Sequence, residues 1–428
     1  MTRKGTDGGA QGRQATYGQV FRVREFRAVW GAQVLSVVGD WLAQVALAIL
    51  VFERTGSALL SALTYALIFL PQFLGGPFLA GLADMFPRRT VMIISDVVRA
   101  ALVALMAIPG MPFWSLLVLV FGAHLLAAPF AAARAAIIPD ILSGDSYVLG
   151  ISVSNITYQA AQIMGFVIGG AVVAVIGSYS ALLVDAGTFA ASALLLWLWV
   201  EARPAPAERG SGAPNVLGSL VAGARVVFGD PRMRVIVVMA WLCAFYAVPE
   251  GLAAPYVHTW SGRDLLVGIF MAAIPAGTVA GMFVVGRFTS PSRRLRLMGP
   301  LAVLSCAPLM GTAFFPGIGT TLVLLVVVGF GSAYQLPANA TFVQIVPDSG
   351  RGQAFGLVQA GIYAFQGLAI VVAGAAAKLL EPQLVVAISG VLGTAVALWA
   401  AASWSRISAP EGDGEAENAA PQGSARQS

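Results

Sequence analysis

Histidine and cysteine are nearly absent from these 428 residues: His124, His258, Cys243 and Cys306 are all there are. The cysteines fall in separate apolar runs, so neither a disulfide framework nor a metal site is expected. The sequence has no H-E-x-x-H pair, no G-x-S-x-G elbow and no phosphate-cradling glycine loop, and this argues against an enzyme and against a cofactor. Charge is scarce as well. Asp, Glu, Lys and Arg supply 11% of the chain against 58% hydrophobic residues, and mean hydropathy is +0.82. A soluble core cannot hide that much apolar surface, so lipid must be the solvent.

The apolar runs recur at roughly 20 residues, the length a helix needs to cross about 30 Å of hydrocarbon. Helices satisfy their own backbone hydrogen bonds in lipid, whereas a closed barrel needs alternating segments of about ten residues. Runs such as LLVLVFGAHLLAAPF do not alternate. Twelve spans are expected, near 27–52, 58–83, 90–108, 113–138, 147–176, 179–200, 233–257, 264–286, 295–315, 320–346, 352–380 and 383–404.

Two loops look like copies of one another. GLADMFPRR (Gly81 to Arg89) and GRFTSPSRR (Gly286 to Arg294) keep the same step from glycine to double arginine, and their glycines lie 205 positions apart. Pro71 pairs with Pro275 at 204, and Pro139-Asp140 with Pro347-Asp348 at 208. The reading is an all-α polytopic membrane protein of two pseudo-symmetric six-helix bundles, 27–200 and 233–405. A cytoplasmic segment (1–26) precedes them, a Pro- and Gly-rich linker (201–232) joins them, and a tail (406–428) expected to be disordered follows. Residues 216–228 can form an interfacial helix.

Orientation follows from the basic residues, which short cytoplasmic loops retain. Of 25 Lys and Arg, Arg54, Arg263 and Lys378 fall in far-side loops and Arg99 within a span, leaving 21 on the side of both termini. Both termini are therefore expected in the cytoplasm of a bacterial cell whose Lys-poor composition suggests a GC-rich genome. No cleaved signal peptide is expected in the basic first 26 residues. The net charge of +5 reflects this orientation, and nucleic-acid binding is not needed to explain it.

Ionisable groups at membrane depth are costly and so point to function. Asp40 lies thirteen residues from both Arg27 and Glu53, near the midplane, and shares a helix face with Gln33, Ser36 and Gln44. It is the expected proton-binding group, with a buried structural carboxyl as the plainer reading. Glu250, 210 positions later, and His124 are candidates for proton transfer; an outer-end carboxylate and a singly hydrogen-bonded histidine are their plainer readings. Asp185 is expected to be structural. Asp96 and Arg99, spaced i, i+3, are expected to clasp one another. With Asp84, Arg88, Arg89 and Arg134 they are expected to form a cytoplasmic gate. Gln159, Gln335, Asn339, Gln359 and Tyr363 join the stripe of Asp40 as expected lining of a substrate cavity, although such amides also glue helices together.

The loop GLADMFPRR resembles the signature between the second and third helices of the major facilitator superfamily, departing from it at Ala80, Met85 and Pro87. SVVGDWLAQVAL around Asp40, SDVVRA (Ser95 to Ala100), ARAAIIPD ending at Asp140 and QIVPDSGRGQAFG ending at Gly356 resemble its third drug:proton antiporter subfamily, with its macrolide and siderophore exporters. MGFVIGG has Phe166 where that group usually has proline. The resemblance implies a monomeric membrane transporter whose partners are a small molecule, protons and lipid, and which exports an amphipathic compound by proton antiport. The alternatives are an uptake symporter and a non-transporting sensor or scaffold.

Overall fold

Long apolar stretches interrupted by Gly, Pro and short polar turns give rods that reverse direction at those turns. The computed structural model describes residues 16–72, 85–204, 216–315, 317–347 and 350–407. These are helical, with no strand among them. In chain order the rods are α1 (Arg24–Thr55), α2 (Ala58–Gln72), α3 (Arg88–Met106), α4 (Phe113–Ile141), α5 (Asp145–Trp199), α6 (Val216–Gly229), α7 (Pro231–Gly251), α8 (Asp264–Phe288), α9 (Pro291–Ala313), α10 (Ile318–Ile345), α11 (Arg351–Ala376) and α12 (Pro382–Ile407). A short helix, Tyr17–Arg22, precedes α1, and another, Ala253–His258, follows α7.

Nine of these, among the described residues, are long and apolar enough to cross a membrane. α5 is 55 residues long and is broken at Gly177 (φ 80°, ψ 163°), a backbone conformation that costs glycine little. The break falls between the two spans expected at 147–176 and 179–200, and at 1.5 Å per residue each arm exceeds about 30 Å. α3 carries Arg88, Arg89, Asp96 and Arg99 in 19 residues. The span expected at 58–83 is described as far as Gln72, and its remainder, with Asp84, lies outside the described residues. So do the linker core 205–215 and the tail from 408.

The turns follow their local chemistry. Gly56 closes α1 in the left-handed region (φ 60°), donating its N–H to Phe52 at 2.7 Å, and Ser57 accepts from the N–H of Leu60 to open α2. Asp230 opens α7 by accepting from Arg232, with Pro231 in the first turn. Outward faces are apolar: Trp114, Val118, Val175, Trp197, Phe283 and Leu379 are each at least 61% exposed, a pattern that belongs against lipid.

One end of the molecule is basic. There Arg88 pairs with Asp140 at 2.5 Å, Arg203 with Glu25 at 2.6 Å, and Arg89 donates to the carbonyls of Leu196 and Trp197. The carboxylate of Glu25 holds Arg203 protonated above the usual arginine range. Among the described residues, contacts between the two halves of the chain gather toward the opposite end. Gly170 of α5 meets Gly268 of α8 backbone to backbone, and a Cβ on either would enter the other's main chain. Nearby, Gly374 of α11 lies against Leu59 and Ala62 of α2, and Phe52 stacks with His258 at 5.2 Å between centroids.

Candidate functional site: a charged cavity between the halves

Asp40 faces the interior. It lines a cavity of about 430 Å³ formed by α1, α2, α3, α4, α5 and α11, together with Gln33, Ser36, Gln44, Arg99, His124, Arg134, Gln359 and Tyr363. Trp41, Phe130 and Tyr158 supply aromatic walls. The i, i+3, i+7 and i+11 stripe read from α1 puts its four polar groups on one face, as helical geometry requires.

Asp40 Oδ1 accepts from Arg99 Nη2 at 2.5 Å. The Arg99 side chain is 2% exposed and that of Asp40 23%, so the carboxylate meets the cavity while the guanidinium is held behind it. Arg99 Nε donates to the carbonyl of Ala123 at 3.1 Å, and its guanidinium lies 4.1 Å over the ring of Phe189. The expected clasp between Asp96 and Arg99 does not form. Asp96, fully buried, instead accepts from Ser192 at 2.5 Å and from Ser36 at 3.5 Å. The reason is physical: a neighbouring helix offers Arg99 a carboxylate open to the cavity, and two hydroxyls satisfy Asp96 where it stands.

Asp185 belongs to this cluster. It is 1% exposed, its Oδ1 accepts from Thr188 at 3.2 Å, and its Oδ2 has no hydrogen-bond partner. It reaches the cluster because residue 39 is glycine, where a Cβ would collide with the Asp185 carboxylate and the Thr188 hydroxyl. Asp185 and Ser192, seven apart, share a helix face, a spacing that carried the signal in the sequence.

Among the described residues, the members of the expected gate do not form a single network. Arg88 is committed to Asp140 and to the carbonyl of Ala136, Arg89 to main-chain carbonyls of α5, and Asp96 and Arg99 lie at the depth of Asp40. Arg134 projects into the cavity, where its Nη1 donates to Gln33 Oε1 at 2.8 Å. Gln33 in turn donates to the carbonyl of Ser154 at 3.1 Å. Asp84 lies outside the described residues. In the second loop, Arg294 folds back onto the carbonyls of Gly286 and Thr289.

Gln335 and Asn339 line a second cavity, of about 510 Å³, between α7, α10 and α11. Gln359 borders both cavities. Gln335 donates to the hydroxyl of Tyr246 at 2.6 Å, and Tyr334 donates to the carbonyl of Met239. No ionisable acid or base other than Tyr and Cys lines this second space. Gln159 lines neither cavity, and its neighbour Tyr158 takes the inward position.

Glu250 lines neither cavity. It accepts a hydrogen bond from Tyr65 at 2.7 Å, so a carboxylate of the second half is held by a phenol of the first. Tyr65 was not foreseen, although Ser61, Tyr65, Ile68 and Gln72 run at helical spacing along α2. His124 is 9% exposed and borders the first cavity near Asp40 and Arg99.

Comparison with known proteins bears on what such a pair of cavities is for. The Major Facilitator Superfamily model matches residues 29–345. The multidrug efflux pump Tap of Mycolicibacterium fortuitum is 26% identical over 368 residues, covering 80% of this chain and 87% of its own. Macrolide efflux protein A of Streptococcus pyogenes is 21% identical over 283 residues, 64% of this chain and 69% of its own. A POT family transporter solved with 5-aminolevulinic acid superposes with a TM-score of 0.71 at 11% identity, covering 92% of this chain and 98% of that one, a likeness of fold. With its apolar helices, its central cavities and a family match over most of its length, the chain belongs to the Major Facilitator Superfamily and is a multi-pass membrane transporter of small molecules.

Proposed function

We propose that the protein exports a small amphipathic organic molecule in exchange for protons, by alternating access to the space between its two halves. The observation that carries this reading is Asp40, a carboxylate at mid-depth that faces the cavity and has a buried cation, Arg99, as its partner. Protonation of Asp40 cancels its attraction for Arg99. Arg99 then has Asp96 one turn away on its own helix as an alternative partner. Two partners for one cation make a bistable element, which proton and substrate bias in opposite directions. The plan is supported by the efflux names borne by relatives at low identity.

In this reading the basic end lies in the cytoplasm, following the positive-inside tendency. One proton entering down about 100 mV supplies about 2.3 kcal/mol, enough for somewhat less than a hundredfold substrate gradient before any pH term.

Everted membrane vesicles with an imposed pH gradient and a panel of amphipathic compounds test the proposal. The wild-type protein is expected to concentrate at least one compound inside everted vesicles. Asp40→Asn is expected to abolish accumulation driven by the gradient while substrate-for-substrate exchange persists. Accumulation that survives in Asp40→Asn would sink the assignment, and uptake confined to right-side-out vesicles would make the protein a symporter.

A further inference from the structure

Arg134 is the one cation bordering the first cavity that no carboxylate among the described residues neutralises. Three ion pairs occur among the described residues, Arg88 with Asp140, Arg99 with Asp40 and Arg203 with Glu25, and none includes Arg134. Its partner is the neutral amide oxygen of Gln33 at 2.8 Å. A guanidinium presents five N–H donors in a planar fork, of which this bond uses one. Withdrawing a cation from bulk water without a counter-charge is unfavourable, so the site favours whatever brings an anion to it.

The surroundings define the rest of the ligand. Gln33 precedes Asp40 by seven residues, two helical turns, so Arg134 stands about 10 Å nearer the basic end than the Asp40 pair. The rings of Trp41, Tyr158 and Tyr363 border the same space. Asp40, already matched to Arg99, offers little attraction for a cationic ligand while that pair holds.

We infer that the cavity recognises amphipathic anions, taking an aromatic or alicyclic body against these rings and a carboxylate in the fork of Arg134. This rests on the proposed transport of an amphipathic compound and names its chemical class. Arg–carboxylate pairing supplies two parallel charge-assisted hydrogen bonds that a neutral amide cannot reproduce. Because Arg134 does not contact Asp40, anion recognition is spatially separate from the proton-binding carboxylate.

The test is equilibrium binding of pyrenebutyrate and its neutral primary amide to the full chain in nanodiscs. The readout is energy transfer from tryptophan, with empty nanodiscs subtracted. The wild-type protein is expected to bind the acid about tenfold or more tighter than the amide. Arg134→Gln is expected to bring that ratio close to one and Arg134→Lys to leave it between the two. A wild-type ratio near one overturns the inference by itself, whether or not the variants fold, and so does a ratio that Arg134→Gln leaves intact. Absence of pH-driven movement of every compound would refute the exporter reading while leaving this ratio to stand or fall separately.

Discussion

Asp40 and Arg99 differ in how they meet water, and the difference sets what each can do. Asp40 is partly open to the cavity, so a proton can reach it, whereas Arg99 is held by Ala123 and Phe189 behind it. Removing one partner of a buried pair leaves the other uncompensated, at a cost of about 3–5 kcal/mol in a sealed site. Access of Asp40 to the cavity places Arg99→Met toward the lower end of that range, because water can solvate the orphaned carboxylate. The expected outcome is a lowered thermal midpoint in detergent together with loss of pH-driven transport. A midpoint unchanged from wild type would mean that the pair contributes nothing to the fold. The sequence marked Asp40 through its depth and its stripe on one helix. It could not reveal that Arg99 would choose Asp40 over Asp96, because that choice depends on which helix lies alongside and on the hydroxyls of Ser36 and Ser192.

Among the helices, α5 and α8 meet across the halves through main chain. Gly170 and Gly268 carry no side chain to separate them, and small residues are what permit such approach within a membrane. Gly268→Val pushes a branched side chain into the carbonyl of Phe166 and the backbone of Gly170, so the seam must part. The expected outcome is a population shifted away from the state in which the end opposite the basic one is closed, read as faster labelling of a cysteine placed at Phe52 from that end. Unchanged labelling would mean the seam is not what closes that end. Helix limits were legible from apolar run length, and the break at Gly177 fell between two expected spans. The subdivision of α7 at Leu242, Ala247 and Leu252 was not legible, because periodicity reports which face is apolar and not where the axis bends.

Across the whole molecule, Tyr65 and Glu250 tie the halves together at 2.7 Å, and both lie on the side where the halves are closed. Tyr65→Phe leaves the carboxylate without its donor, a loss of about 1–3 kcal/mol where no water enters. That is enough to move a two-state equilibrium by roughly fivefold to more than a hundredfold. Distances between spin labels across that end should then lengthen relative to wild type, and an unchanged distribution would remove the bond from the switching mechanism. Glycine and proline offsets of 204 to 208 led to the expectation of two like halves. Their unequal chemistry was not legible, because among the described residues the gathering of Asp40, Asp96, Arg99 and Asp185 about one point in the first half depends on which helices lie side by side. The cavity beside Gln335 and Asn339 carries neither carboxylate nor guanidinium. In the proposed mechanism that space stands apart from the Asp40–Arg99 pair, so replacements at Gln335 or Asn339 are expected to alter which compounds are carried while the response to an imposed pH gradient stays as it was.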